Sequence, residues 1–368
     1  MNEENKLSSH PLLDSNEIEQ LLAENVPFAL YRLPWETSCR LVRPDSGRVE
    51  EFSSVCRLGE VRGFVFAPFQ PGEECPLLLM RSEAECLLTL PPYQSRQEAV
   101  LTMPHADGKE EYDTAFFRFV DELRQGRFRK LVLSRSCRQR VVGSFSLVNS
   151  FLEACSRYPR MMIYLCHTPQ AGTWMGCTPE ILLEGMAEQW HTVALAGTMP
   201  VGCVSGVEEW SRKNREEQRL VSEYLHEQLR KAEIEPAEEG PYMAQAGPLV
   251  HLKSDFHFTL PKQEGAVGRL LELLHPTPAV CGLPKESARR YIPRNEGYCR
   301  GYYSGFVGRL DVTGETHLYV NLRCAKVMGA DLDLYAGGGI LPQSERQREW
   351  EETEQKMNTV RSILRQER

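Results

Sequence analysis

Three neighbouring stretches decide the reading: Leu-Tyr-Val-Asn-Leu-Arg-Cys-Ala-Lys (318–326), Leu-Tyr-Ala-Gly-Gly-Gly-Ile (334–340) and Glu-Trp-Glu-Glu-Thr-Glu-Gln-Lys (349–356). In the first, Arg323 falls on a strand between apolar neighbours, and an inward arginine needs an anion beside it. In the second, Gly337, Gly338 and Gly339 follow a strand and form either a tight turn or a bend whose backbone N–H groups meet a carboxylate. They match neither the P-loop nor the dinucleotide-binding glycine pattern. In the third, Glu349, Glu352 and Lys356 share one helical face, where Glu352 and Lys356 are either a surface ion pair or part of a site. An arginine on a strand, a glycine-rich turn and a helix with two glutamates suit a small dicarboxylate beside a divalent cation. They predict a metal-dependent enzyme.

Upstream of these stretches, helical periodicity at 213–233, 264–274 and 144–156, with a further helix at 347–365, alternates with strand patterns at 162–166, 173–177, 191–196, 303–310, 317–327 and 332–335. Several strands are consecutive, which predicts antiparallel pairing rather than a doubly wound parallel sheet. A helix from Lys109 carries Phe116, Val120 and Leu123 on one face, Gly126 ends it, and a strand follows at 131–134. Before it, short apolar runs at 28, 64, 77 and 86, broken by Pro and Gly, read as strands, and Asn16 with Glu19 predicts a capped helix that Pro27 closes.

The 368 residues suffice for a sizeable core, and the 41% hydrophobic and 26% charged content is ordinary for a globular chain. A net charge of -8 with both signs interspersed excludes a nucleic-acid partner. The first ten residues have neither a basic nor an apolar leader region, and no run approaches the ~18 apolar residues of a membrane span. A cytoplasmic location is expected. The cysteines at 39, 56, 75, 86, 137, 155, 166, 177, 203, 281, 299 and 324 show no pair two residues apart. They are expected to be reduced thiols acting as small buried hydrophobes rather than zinc ligands.

Four further positions carry possible chemistry. Lys130 is either a solvated strand-edge residue or a general base whose pKa is lowered toward neutrality by burial and by its neighbours Arg127 and Arg129. Glu180, ahead of Ile181, Leu182 and Leu183, is either a capping residue or a half-buried carboxyl able to give a proton. Glu216 and Glu217 open a helix with an apolar stripe at Leu220, Val221, Tyr224 and Leu225, and charge there is either a solvated first turn or a set of hard ligands. His275 begins the rigid turn His-Pro-Thr-Pro-Ala (275–279), which it either caps or serves.

In this order the segments resemble the chorismate-utilising enzymes, a family that includes anthranilate synthase component I, aminodeoxychorismate synthase, salicylate synthase and isochorismate synthase. The resemblance covers roughly residues 110 to 365. It rests on Lys-Leu-Val-Leu-Ser-Arg at 130, Thr-Pro-Glu-Ile-Leu-Leu at 178, Ala-Leu-Ala-Gly-Thr at 194, Lys-Asn-Arg-Glu-Glu at 213, the turn at 275, Arg-Gly-Tyr-Tyr-Ser-Gly at 300, Asn-Leu-Arg-Cys-Ala-Lys at 321, Ala-Gly-Gly-Gly-Ile at 336 and Glu-Trp-Glu-Glu-Thr at 349. The implied fold is α+β: two packed antiparallel β-sheets flanked by helices, with the active site between the sheets. Residues 1–105 would be a variable segment completing the sheets and residues 106–368 the catalytic region, together one structural unit.

Within that family, lysine at position 130 implies attack by water rather than ammonia, and alanine at position 196 removes a covalent lysine route. The implied activity is that of an isochorismate synthase. Lys130 would activate water at C2 of chorismate while Glu180 protonates the departing C4 hydroxyl. Glu217, Glu349 and Glu352 would hold Mg²⁺. Ala196, Gly197, Thr198, His275, Tyr303, Arg323, Gly337, Gly339 and Lys356 would bind the substrate. Asn214, Met199 and Gly338 depart from the family pattern. The product would feed menaquinone or siderophore biosynthesis. No obligatory amidotransferase subunit is expected, and the chain is expected to be a monomer or weak homodimer. The alternatives are a salicylate synthase, which eliminates pyruvate after the same first step, and a non-catalytic chorismate-binding subunit.

Overall fold

A computed structural model describes residues 10–94, 96–102, 108–261 and 263–367. The expected boundary near residue 105 and the first nine residues lie outside these. Two antiparallel sheets face each other, as the consecutive strand patterns predict. The ten-stranded sheet runs from Gly282–Leu283 through Lys130–Val142, Asp331–Ile340, Cys324–Met328, Gly172–Thr178 and Met162–Thr168 to Phe28–Arg32, Ser38–Val42 and Cys86–Thr89, with Val100–Leu101 paired to Lys130–Val142 off this path. The nine-stranded sheet runs from Ala237–Ala246 through Leu249–Thr259, Gln189–Pro200, Ile181–Met186, Glu315–Val320 and Phe306–Asp311 to Arg62–Ala67, Leu77–Arg81 and Glu50–Phe52.

Aromatic side chains fill the space between the sheets. Phe66 stacks on Tyr302 with centroids 4.4 Å apart, and Tyr335 lies between Trp174 and Tyr303 at 5.4 Å from each. Rings of this size bury the largest apolar area per residue, and offset pairs add about 0.5–1.5 kcal/mol each. The outer face of the nine-stranded sheet is covered by the helices Arg212–Lys231 and Ala266–Leu274 through Leu220, Leu225, Leu270 and Leu271. The outer face of the other sheet is covered by Ser15–Ala23, Leu147–Arg157 and the end of Arg346–Arg361. None of the helices among the described residues is long and apolar enough to cross a membrane.

The expected single strand over 317–327 is two strands in different sheets, Glu315–Val320 and Cys324–Met328, so Arg323 is not a strand residue. It occupies the break, with a left-handed φ of 47°. Asn321 pins that break: its amide donates to Tyr302 O at 2.9 Å and its carbonyl accepts from Tyr164 at 2.6 Å. A parallel event happens next door. The chain passes from Gly172–Thr178 in one sheet to Ile181–Met186 in the other through Pro179 and Glu180. Gly172–Thr178 pairs with Cys324–Met328 and Ile181–Met186 with Glu315–Val320, so the two crossings run side by side. Val320 N donates to Glu180 O at 2.8 Å across them. Glu180 and Arg323, both expected to serve the site, are neighbours because both sit where paired strands change sheets.

The triple glycine is also not a turn. It lies inside the strand Asp331–Ile340, with Gly337 opposite Ser134, Gly338 opposite Leu133 and Gly339 opposite Val132. Other departures are smaller. Asp14, not Asn16, caps the first helix, and the hairpin Ala237–Ala246 with Leu249–Thr259 and the helix Lys285–Asn295 have no counterpart in the sequence reading. The cysteines are not uniformly buried, since Cys56, Cys86, Cys203 and Cys299 are exposed.

Candidate active site

The glycine strand forms one wall of a cavity between the sheets. Its glycines exist because side chains crowd its surface. A Cβ on Gly339 would stand 2.0 Å from Glu217 Oε1 and 2.9 Å from Lys130 Cε, and one on Gly337 would stand 3.0 Å from the Tyr303 hydroxyl. Gly337 O accepts a hydrogen bond from Lys356 Nζ at 2.8 Å instead of belonging to the ladder with its neighbour. In an antiparallel strand a residue's N–H and C=O share a direction and alternate residues repeat it. The N–H groups of Gly337 and Gly339 therefore face the cavity side.

Lys130 starts the neighbouring strand, and its side chain is fully buried. Its Nζ lies 3.1 Å from Glu217 Oε1, which comes from the first turns of the helix Arg212–Lys231. The flanking arginines do not act on it as expected: both are exposed, Arg127 pairing with Glu122 and Arg129 with Glu223. The charge facing Lys130 is a carboxylate. Glu180 is buried on the cavity wall, and burial pushes its carboxyl up to about 7 despite the opposing charge of Lys130. It accepts a long hydrogen bond of 3.4 Å from Thr277. A carboxylic acid that keeps its proton near neutral pH is able to donate it.

Arg323 is buried and donates to Ala246 O at 2.8 Å and to His251 Nε2 at 2.5 Å. Burial brings its guanidinium down to about 10, which leaves it charged at neutral pH. His251 donates from Nδ1 to Gly197 O at 2.8 Å, a tautomer set by those two partners. Burial, reinforced by the Arg323 charge, pushes it down to about 3, so it is neutral. Gly197 has φ 72° at a bulge between Ala196 and Met199, which bends the strand end so that Ala196, Gly197 and Thr198 all line the cavity. Tyr303 lines it too, from the turn before Phe306–Asp311.

Glu349 and Glu352 extend from the helix Arg346–Arg361 toward the glycine strand, where a Cβ on Gly338 would lie 3.2 Å from Glu349 Oε2 and 3.4 Å from Glu352 Oε1. Lys356 pairs with Glu352 at 2.7 Å, so the ion pair exists, and its lysine lines the cavity. Lys213 reaches Glu349 Oε1 at 2.6 Å and Glu217 Oε2 at 3.9 Å. Burial and the nearby Glu352 charge push Glu349 up, while the charges of Lys356 and Lys213 outweigh burial at Glu352 and push it down. Ser344 lies near enough to favour an ionised Glu349, yet Glu349 Oε2 is buried without a hydrogen bond among the described residues. Three hard carboxylates, one with an orphaned oxygen, fit a magnesium ion.

Four expected site residues do not line the cavity itself: Lys130, Glu349 and Glu352 stand against Gly338 and Gly339 of the glycine strand, and His275 is turned away. It is buried with Nε2 3.2 Å from Pro68 O and its ring against Phe306, while Ala279 and Val280 of the same turn line the cavity and Thr277 reaches Glu180. The turn meets the cavity through Thr277, Ala279 and Val280 and not through the histidine. Sequence reasoning missed Lys213, Tyr335 and His251. Lys213 lies one helical turn before Glu217, a signal that was present; His251 belongs to a hairpin with no clear alternation.

A model of the chorismate binding enzyme family matches residues 77–365. The salicylate biosynthesis isochorismate synthase of Pseudomonas aeruginosa is 30% identical over 310 residues, covering 80% of this chain and 64% of that protein. The isochorismate synthase EntC of Escherichia coli is 33% identical over 211 residues, covering 55% of this chain and 54% of that protein. The chain thus spans under two thirds of the first relative and about half of the second. The structure of MenF, the menaquinone-specific isochorismate synthase of Escherichia coli, superposes with a TM-score of 0.76 over 96% of this chain and 92% of its own at 21% identity, a likeness of fold.

Proposed function

We propose that this chain, which belongs to the chorismate-binding enzyme family, converts chorismate to isochorismate. The observation that carries this reading is the division of labour around the glycine strand. An amine, Lys130, is paired to Glu217 over Gly339, and a buried acid, Glu180, sits on the cavity wall within reach of the Lys130 charge, its carboxyl pushed up to about 7. Exchange of a hydroxyl from C4 to C2 of a ring needs one group to take a proton from water and another to give one to the hydroxyl that leaves.

In this reading Lys130 Nζ removes a proton from the water that attacks C2, and Glu217, 3.1 Å away, steadies the ammonium that results. Glu180 delivers its proton to the C4 hydroxyl, which departs as water as the ring double bonds shift. Water is consumed and released, so the atoms balance. Arg323 and the backbone N–H groups of Gly337 and Gly339 hold substrate carboxylates, and Tyr303 and Tyr335 wall the ring against solvent. The neutral His251 fixes the Arg323 guanidinium in place. Mg²⁺ held by Glu217, Glu349 and Glu352 would supply positive charge for a carboxylate of the substrate.

Incubating the protein with chorismate and Mg²⁺, without any ammonia source and with an EDTA control, tests the reading by product mass and retention time. A metal-dependent product isomeric with chorismate supports it. Salicylate with pyruvate moves the assignment to a salicylate synthase, and unchanged chorismate contradicts it.

A further inference from the structure

Among the exposed cysteines, Cys299 has a thiol partner. Its side chain and that of Cys75 line the same recess, although the residues are far apart in sequence. Cys75 ends the loop between the strands Arg62–Ala67 and Leu77–Arg81, and Cys299 follows the helix Lys285–Asn295. The two loops are joined independently of the thiols. Phe69 N donates to Gly301 O at 3.0 Å, Tyr302 donates to Pro76 O at 2.8 Å, and a Cβ on Gly301 would lie 3.9 Å from Cys75 Sγ. A frame fixed on both flanks holds the sulfurs together before any reaction.

We propose that Cys75 and Cys299 form a reversible dithiol–disulfide pair, oxidised by low-molecular-weight disulfides such as oxidised glutathione. Cys299 is the attacking thiol, being exposed where Cys75 is half-buried. The neighbouring Cys75 thiol, with the backbone N–H of Gly301, brings the Cys299 thiol down from its ordinary value, while that neighbour and burial push Cys75 up, which favours the thiolate on Cys299. The Cys299 thiolate attacks one sulfur of the small disulfide and expels one thiolate. Cys75 then loses its proton, attacks Cys299 Sγ in the mixed disulfide and expels the second thiolate. Two protein thiols are oxidised, one small disulfide is reduced, and the protons pass to solvent and the leaving thiolates. The bond would close one residue from Arg300, whose guanidinium holds Val132 O at 2.9 Å and Val280 O at 2.7 Å, so the redox site abuts the cavity wall.

The test exposes the reduced full-length protein to oxidised glutathione, blocks free thiols by alkylation and maps peptides by mass. The expected result is a Cys75–Cys299 crosslink that dithiothreitol reverses, with Cys299 reacting about tenfold faster than the exposed Cys203. Cys75→Ser should accumulate a stable glutathione adduct on Cys299, and Cys299→Ser should leave Cys75 unmodified. Glutathione on Cys56 or Cys203 without a 75–299 crosslink in the wild-type chain overturns the proposal, as does a Cys75→Ser variant with no adduct on Cys299.

Discussion

Lys130 Nζ and Glu217 Oε1 approach to 3.1 Å directly over Gly339, at a spot where any Cβ would collide with both side chains. Gly339→Ala therefore pushes the pair apart rather than merely filling space. The variant should keep its circular dichroism spectrum, lose about 1–3 kcal/mol of stability by overpacking, and lose about 100-fold in turnover through displacement of the base. Steady-state kinetics beside a urea melt measures both; full activity would show that the pair is not part of the chemistry.

Removing the amine also exposes the cost of the pair. Lys130→Met leaves the buried Glu217 carboxylate with only the more distant Lys213, 3.9 Å away, which should cost up to about 3–5 kcal/mol in urea unfolding. Lys130→Met/Glu217→Gln, which removes both charges, should recover most of that loss but none of the turnover.

The raised pKa of Glu180 fixes a pH dependence. Its folded value of about 7 lies above its ordinary 4.5, so the native state binds the proton more tightly than the unfolded chain. The stabilisation is present below 4.5 and lost as the pH rises through 7, at up to about 1.4 kcal/mol per pH unit in between. Glu180→Gln, a neutral mimic, should abolish that slope in urea titrations from pH 4.5 to 8. The same ionisation should make wild-type turnover fall above pH 7, and Glu180→Gln should bind substrate without turning it over.

The orphaned Oε2 of Glu349 predicts cation binding in the absence of substrate. Mg²⁺ at 100 times its dissociation constant should raise unfolding free energy by about 2.7 kcal/mol. Glu349→Gln should remove most of this shift. An unshifted wild-type melt at millimolar Mg²⁺ would contradict the assignment of Glu217, Glu349 and Glu352.

What was legible in the sequence was local. Glu349, Glu352 and Lys356 share a face because helical spacing dictates it, and the strands announce themselves by apolar runs. The burial of Arg323 was legible too, but its backbone was not. A strand that leaves one sheet for the other has the same apolar alternation as one that stays, and only Asn321 and the left-handed φ at Arg323 mark the break. The glycine run misled for a related reason: glycine signals a turn when its backbone needs freedom, whereas in this strand it signals side chains from another element pressing on the backbone. The mutual placement of Lys130, Glu180 and Glu217 depends on contacts between segments that no spacing encodes.

The central claim, that water attacks C2 while the C4 hydroxyl leaves, is tested most directly by running one turnover with chorismate and Mg²⁺ in oxygen-18 water. The expected product is isochorismate carrying one heavy oxygen, located at C2 by fragmentation, and Lys130→Met should make no product at all. Isochorismate formed without the label would mean that the substrate's own hydroxyl migrates, and would contradict the roles of Lys130 as base and Glu180 as acid.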